Sequence, residues 1–196
     1  MEAEIIAVGT ELLLGDILNT NAQFLSRELA ALGITVHFQT VVGDNPARLE
    51  SVVRQARGRS DLLVFSGGLG PTEDDLTKQT VARAFGDTLR FDEAELEKIR
   101  AFFTAWGRTM PENNKKQAMV PTHGRKIPNA NGTAPGMIFE DQAAPGKYAV
   151  LLPGPPKELQ PMFLKPTYAE LYDHFKTIAE SVPETPVLLY NNPGRV

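Results

Sequence analysis

Short apolar runs alternate with amphipathic stretches from the first residues onward, a pattern that predicts a repeated strand-and-helix chain. Residues 5–8 form an apolar run that stops at Gly9, and residues 21–32 then set Phe24, Leu25, Leu29 and Leu32 at helical spacing before Gly33. Residues 34–42 are rich in β-branched side chains and read as a second strand. Asp44-Asn45-Pro46 then resembles a cap with proline in the first helical turn, and Leu49, Val52, Val53 and Ala56 continue amphipathically. Residues 61–65 are apolar after the first position, as in a strand covered on both faces of a parallel sheet. A loop of sequence SGGLGPTEDD follows at 66–75, and Asp74 or Asp75 is placed to cap the next helix, which runs through Val81 and Ala82 toward Gly86. Three βα units in succession predict a doubly wound α/β fold, in which ligands bind beyond the carboxyl ends of the strands.

The later chain is less regular. Residues 92–106 carry Leu96, Ile99, Phe102 and Phe103 on one helical face, Trp106 joining that core, and residues 113–119 suggest another short helix. Residues 125–135 look like a loop, whereas 136–140 and 148–152 read as a strand pair around Ala143-Ala144-Pro145-Gly146. Pro153-Gly154-Pro155-Pro156 then predicts a rigid loop at a strand end, because proline pins φ and removes a donor.

Composition narrows the possible partners. With 196 residues and 42% hydrophobic content, the chain can bury one main core. A net charge of −4 gives no general attraction to nucleic acid or anionic lipid, so an anionic ligand must be captured locally. The absence of cysteine excludes disulfides, thiolate metal sites and a cysteine nucleophile. Acids near the amino terminus do not fit a signal peptide, and the first apolar run is too short to span a bilayer, so a cytoplasmic location with no membrane partner is expected.

The chemistry converges on the glycine loop. Ser66, Gly67, Gly68, Gly70 and Pro71 lie between a buried strand and a helix, where bare amides and a helix terminus can cradle a phosphate. Thr72 and Thr77 can offer hydroxyls, and Asp74 and Asp75 can hold a divalent cation; a tight turn with a capping aspartate would explain the same residues without a ligand. Gly9, Thr10 and Glu11 after the first strand, with the polar run at residues 16–21 before the first helix, form a candidate second wall, against the plainer reading of a loop capped by Asn19 or Thr20. Asp44 is open to both readings, and Lys116 can either neutralise an anion or belong to a solvated face. His37, His123 and His174 show no metal-ligand spacing.

Residues 9–15 (GTELLLG), 19–21 (NTN), 66–77, 114–118 (NKKQA), 132–136 (GTAPG) and 152–158 together resemble the amino-terminal domain of the competence/damage-inducible CinA family. The resemblance implies a three-layer α/β/α molybdopterin-binding-like fold over residues 1–164, with a mostly parallel sheet. It further implies metal-dependent hydrolysis of ADP-ribose to AMP and ribose 5-phosphate, molybdopterin binding being an older label for the fold. By motif position it implicates Asp75 and Asp44 as catalytic acids, with Asp74 and Asp75 toward a metal. It also places Gly132, Thr133, Gly154, Pro155 and Glu158 in binding segments, for a nucleotide or pterin phosphate. Non-catalytic binding, or an inactive hybrid, remains the alternative.

Residues 165–196 instead resemble an internal helix-and-strand piece of the dihydrodipicolinate synthase and N-acetylneuraminate lyase family. A single αβ unit cannot close a (β/α)₈ barrel, so no lyase activity is expected from it. The apolar stripe Leu171, Phe175, Ile178 and Ala179 and the apolar residues 187–190 could support packing or a homodimer.

Overall fold

A computed structural model of the chain describes residues 1–164. The elements in order are β1 (Glu2–Val8), α1 (Thr10–Leu14), α2 (Thr20–Ala31), β2 (Thr35–Val42), α3 (Pro46–Arg59), β3 (Leu62–Ser66) and α4 (Thr77–Ala84). They continue with β4 (Leu89–Phe91), α5 (Glu93–Ala105), a 3₁₀ turn at Glu112–Ala118, β5 (Met119–Pro121), β6 (Arg125–Ile127), β7 (Gly136–Glu140), β8 (Tyr148–Leu152) and α6 (Pro156–Met162). The main sheet has the order β2-β1-β3-β8-β7-β6. Its first four strands are mutually parallel; β7 runs antiparallel to β8, and the edge strand β6 antiparallel to β7.

Alternation along the buried strands feeds two cores. Leu62 and Val64 of β3 pack with Ala22, Leu25 and Leu29 of α2 and with Leu159 and Met162 of α6. Leu63 and Phe65 point to the other face, against Leu49 and Val53 of α3 and Val81 and Phe85 of α4. The result is the three-layer α/β/α arrangement with a mostly parallel sheet that the family resemblance implies, built on the alternating βα units that the apolar pattern predicts. Arg57 holds the buried Asp141 bidentately, donating from Nε and Nη2 along one guanidinium edge to both carboxylate oxygens, and Arg59 does the same to the buried Glu4, so two ion pairs fasten the end of α3 to the sheet.

Several expectations need correction. Neither Asp74 nor Asp75 caps α4; the helix begins after Leu76 with no side-chain cap, because Asp75 is turned back onto Thr72. Residues 125–135 are not wholly loop, since β6 pairs with β7 there. The proline run is not only a loop: Pro156 opens α6, where its missing N–H is harmless. Trp106 does not join the helix core; it lies beyond the last turn of α5 and is 71% exposed, while Leu96 and Ile99 pack with Ala118, Phe103 and Met110. The antiparallel pair β4 and β5, with α5, forms a small appendage. The tail unit at 165–196, with its apolar stripe and strand, lies outside the described residues. No described helix is long and apolar enough to cross a membrane.

Candidate functional site

The glycine loop leaves the carboxyl end of β3 between β1 and β8. Gly67 and Gly68 have φ of +99° and +69°, in the left-handed region, and a side chain at either would run into the Val8 carbonyl or the Thr77 hydroxyl. The Gly67 amide donates to the Leu152 carbonyl at 3.0 Å, which fixes the start of the loop to the end of β8. The next amides, those of Gly68, Leu69 and Gly70, donate to no acceptor among the described residues. Successive unpaired amides in such a bend form a concave donor surface suited to an anion.

The loop is braced from behind. Gln117 donates to the Leu69 carbonyl at 3.3 Å and is itself held by Asn114 at 2.8 Å. The Lys116 ammonium donates to the Thr72 carbonyl, and the buried Lys78 ammonium to the carbonyls of Lys116 and Met119. Burial pushes Lys78 down to about 7, helped by the nearby Lys116 charge and opposed by Asp75. Burial also lowers Lys116, against the pull of Asp75, Glu73 and Asp74.

Two aspartates make the same construction on opposite loops. Asp75 accepts from the amide of Thr72 at 2.9 Å and from its hydroxyl. Asp44 accepts from the amide and the hydroxyl of Thr10, each at 2.9 Å. In both residues Oδ2 does this work, and Oδ1 takes no hydrogen bond among the described residues. Asp44 is free for this contact because its neighbour Asn45 caps α3, accepting from Arg48 at 3.0 Å. Asn19 caps α2 in the way the plainer reading of that segment allows.

The third wall comes from the segments around residues 129–134 and 153–158. Asn129 donates to the Ala134 carbonyl at 2.9 Å and to Glu158 Oε2 at 2.8 Å, and a side chain on Gly132 would overlap that same oxygen. Burial raises the Glu158 carboxyl above its ordinary range, against the opposing hydrogen bond from Asn129 and the charge of Lys157. Asn21 of α2 donates to Ser66 Oγ at 3.0 Å and to the Gly154 carbonyl at 2.6 Å, tying the ends of β3 and β8 together.

These walls border an open cavity of about 600 Å³. Gly9, Thr10, Glu11 and Asp44 line one side, and Gly67, Gly68, Gly70, Thr72, Asp74 and Asp75 another. Thr133, Gly154, Pro155 and Glu158 complete it. Five carboxylates thus face one space, and none of the described lining residues is lysine or arginine. Among the described residues no three His, Cys, Asp or Glu side chains converge as a closed metal cluster.

The other expected residues stand just off the wall. Ser66 is buried under Asn21, Thr77 is buried behind Gly68 with Oγ1 unpartnered among the described residues, Lys116 braces the loop, and Gly132 makes room for Glu158. Pro71 lies in the loop without lining the cavity. Sequence reasoning missed Gln117 and Ala134 on the wall and Asn129 behind it, whereas Asn21 belongs to the polar run at 16–21 that it did single out. Gln117 sits next to Lys116 in an already noted motif, whereas Asn129 reaches Glu158 across a sequence separation that spacing does not reveal.

The family model described as "Probable molybdopterin binding domain" matches residues 4–171. A solved CinA structure from Thermoplasma acidophilum is 38% identical, covers 88% of this chain and 96% of that one, and superposes with a TM-score of 0.74. The chain belongs to the CinA-like molybdopterin-binding domain family. The competence-damage inducible protein of Geobacillus sp. (strain WCH70) is 59% identical to this CinA-like domain over 165 residues, 84% of the chain. That of Lysinibacillus sphaericus (strain C3-41) is 52% identical over 185 residues, 93% of the chain. The chain spans only 39% and 43% of those two relatives. The tungsten cofactor synthesizing protein MoaB from Pyrococcus furiosus, 18% identical with a TM-score of 0.57 and covering 90% of this chain and 95% of that one, shares the fold. A second family model, dihydrodipicolinate synthetase, matches residues 157–196, a short segment largely outside the described residues.

Proposed function

We propose that the CinA-like domain hydrolyses the phosphoanhydride bond of a nucleotide diphosphate of the ADP-ribose class, with a divalent cation, releasing AMP and ribose 5-phosphate. The observation that carries this reading is the charge of the cavity: among the described residues, five carboxylates and no basic side chain share the wall with a surface of free amides. Phosphates and carboxylates repel each other in one desolvated space unless a cation lies between them. The donor set fits a hard ion shared with the ligand, because such ions take one or two carboxylates together with phosphate oxygens and water. It does not fit an all-protein cage. Asp75 and Asp44 would hold the ion through their unused Oδ1 atoms, since Oδ2 of each is occupied in fixing its loop. When bound, the cation would neutralise charge developing on the phosphates.

The residues of the chain supply the rest. The amides of Gly68, Leu69 and Gly70 bind and orient phosphate oxygens, and Thr72 and Thr10 keep the two aspartates at fixed angles. A second reading, binding of a pterin phosphate without turnover, draws on the description of the family model.

The test is release of AMP from ADP-ribose, followed chromatographically, with and without Mg²⁺ or Mn²⁺. The expected result is turnover that requires the cation and falls about 100-fold or more in Asp75→Asn, a change that keeps an acceptor for Thr72. AMP bound by folded protein without any hydrolysis under several divalent metals would support the binding reading instead.

A further inference from the structure

The sequence leaves open which acid of the cavity handles protons, and the geometry separates the candidates. Asp44 and Asp75 each spend one oxygen on both the amide and the hydroxyl of a threonine, so moving either would release a loop of the site. Asp74 is exposed at the mouth. Glu158 is built differently. It is half-buried at the start of α6, it has no lysine or arginine within ion-pair distance among the described residues, and one donor, Asn129, fixes Oε2 while Oε1 takes no bond among them. The space for it depends on Gly132, where any side chain would displace the carboxylate. Two separate segments therefore converge to hold a single carboxylate on the cavity wall.

We propose that Glu158 is the proton acceptor of the site, taking a proton from the water that attacks the phosphoanhydride, with Asn129 as its positioning residue. The proposal rests on the hydrolase reading given above. The balance is simple: the water oxygen forms the new P–O bond, the bridging P–O bond breaks with its electron pair going to the departing phosphate, and one water proton passes to Glu158 Oε1 and then to solvent. The second proton leaves the newly formed phosphate as it ionises. A half-buried carboxyl whose proton affinity is raised by burial is a better proton acceptor than an exposed one. The charged groups around it are Lys157 beside it on α6 and the carboxylates Glu11, Asp44, Asp74 and Asp75 that line the same cavity.

Steady-state hydrolysis of ADP-ribose across pH, together with calorimetric binding of AMP, tests the role in wild type, Glu158→Gln and Glu158→Asp. Expected for Glu158→Gln are a kcat lower by about 100-fold or more, KM and AMP affinity within about threefold, and loss of the acidic limb of the kcat profile. Glu158→Asp should recover part of kcat with the limb restored. Wild-type turnover with Glu158→Gln retaining kcat and its acidic limb overturns this role while leaving the hydrolase reading intact. Loss of AMP binding in Glu158→Gln, with the thermal transition preserved, also overturns it and makes Glu158 a ligand contact. Absence of turnover in wild type that binds AMP overturns the hydrolase reading, and this role with it.

Discussion

Lys78 sits in the first turn of α4, 1% exposed, with its ammonium feeding two backbone carbonyls of the segment that backs the glycine loop. Burial, aided by Lys116, takes it from an ordinary 10.5 to about 7. Because the unfolded chain keeps a proton that the folded chain releases between those values, stability attributable to this group rises with pH across that window and its burial penalty is complete below it. Urea unfolding at pH 7 and pH 9 should therefore show wild type gaining relative to Lys78→Met, at a slope of up to about 1.4 kcal/mol per pH unit. Parallel profiles for the two proteins would show that Lys78 does not titrate there. Residue-scale roles of this kind were only partly legible in the sequence. Asp75 and Asp44 stand in motifs and were visible as acids, but their threonine partners follow from how the loops fold back. Asn21 stands in a polar run that was noted, but nothing local points to its partner 133 residues away, nor to the reach of Asn129 to Glu158, 29 residues away.

At the scale of elements, conformation separates glycines that composition cannot. Gly68 is in the left-handed region and has the Thr77 hydroxyl where a methyl group would go, so Gly68→Ala should cost about 1–3 kcal/mol and loosen the anion loop. Gly58 lies exposed within α3 with open space around it, and Gly58→Ala should stabilise by about 0.5–1 kcal/mol. Thermal or urea unfolding of the two variants should move in opposite directions; movement in the same direction would contradict this account. The strands β1, β3 and β8 were readable because burial on both faces makes them continuous apolar runs. The elements α1, β4, β5 and β6 were not, since each has only three to five residues and no periodicity can establish itself over that length. α6 was hidden by its prolines, which read as a rigid loop although Pro156 is well placed to begin a helix.

In the molecule as a whole, the sheet order explains why distant motifs share one cavity. β1, β3 and β8 are adjacent and parallel, so the loops after each of them emerge at the same edge and bring Thr10, Asp75 and Glu158 to one space. On this reading the missing element is a positive charge, and it must arrive with the ligand, because the described wall is acidic. The same acidity distinguishes this cavity from the hollow of about 540 Å³ between α2 and β2, whose described lining residues include no carboxylate.

The most direct test of that central claim is isothermal titration of wild-type protein with AMP, in chelator and in a millimolar divalent cation. The account predicts binding at least about tenfold tighter with the cation, a coupling of roughly 1.4 kcal/mol, and loss of this enhancement when Asp44 and Asp75 are both replaced by asparagine. Equal affinity with and without the cation, or an enhancement that survives both substitutions, would contradict it.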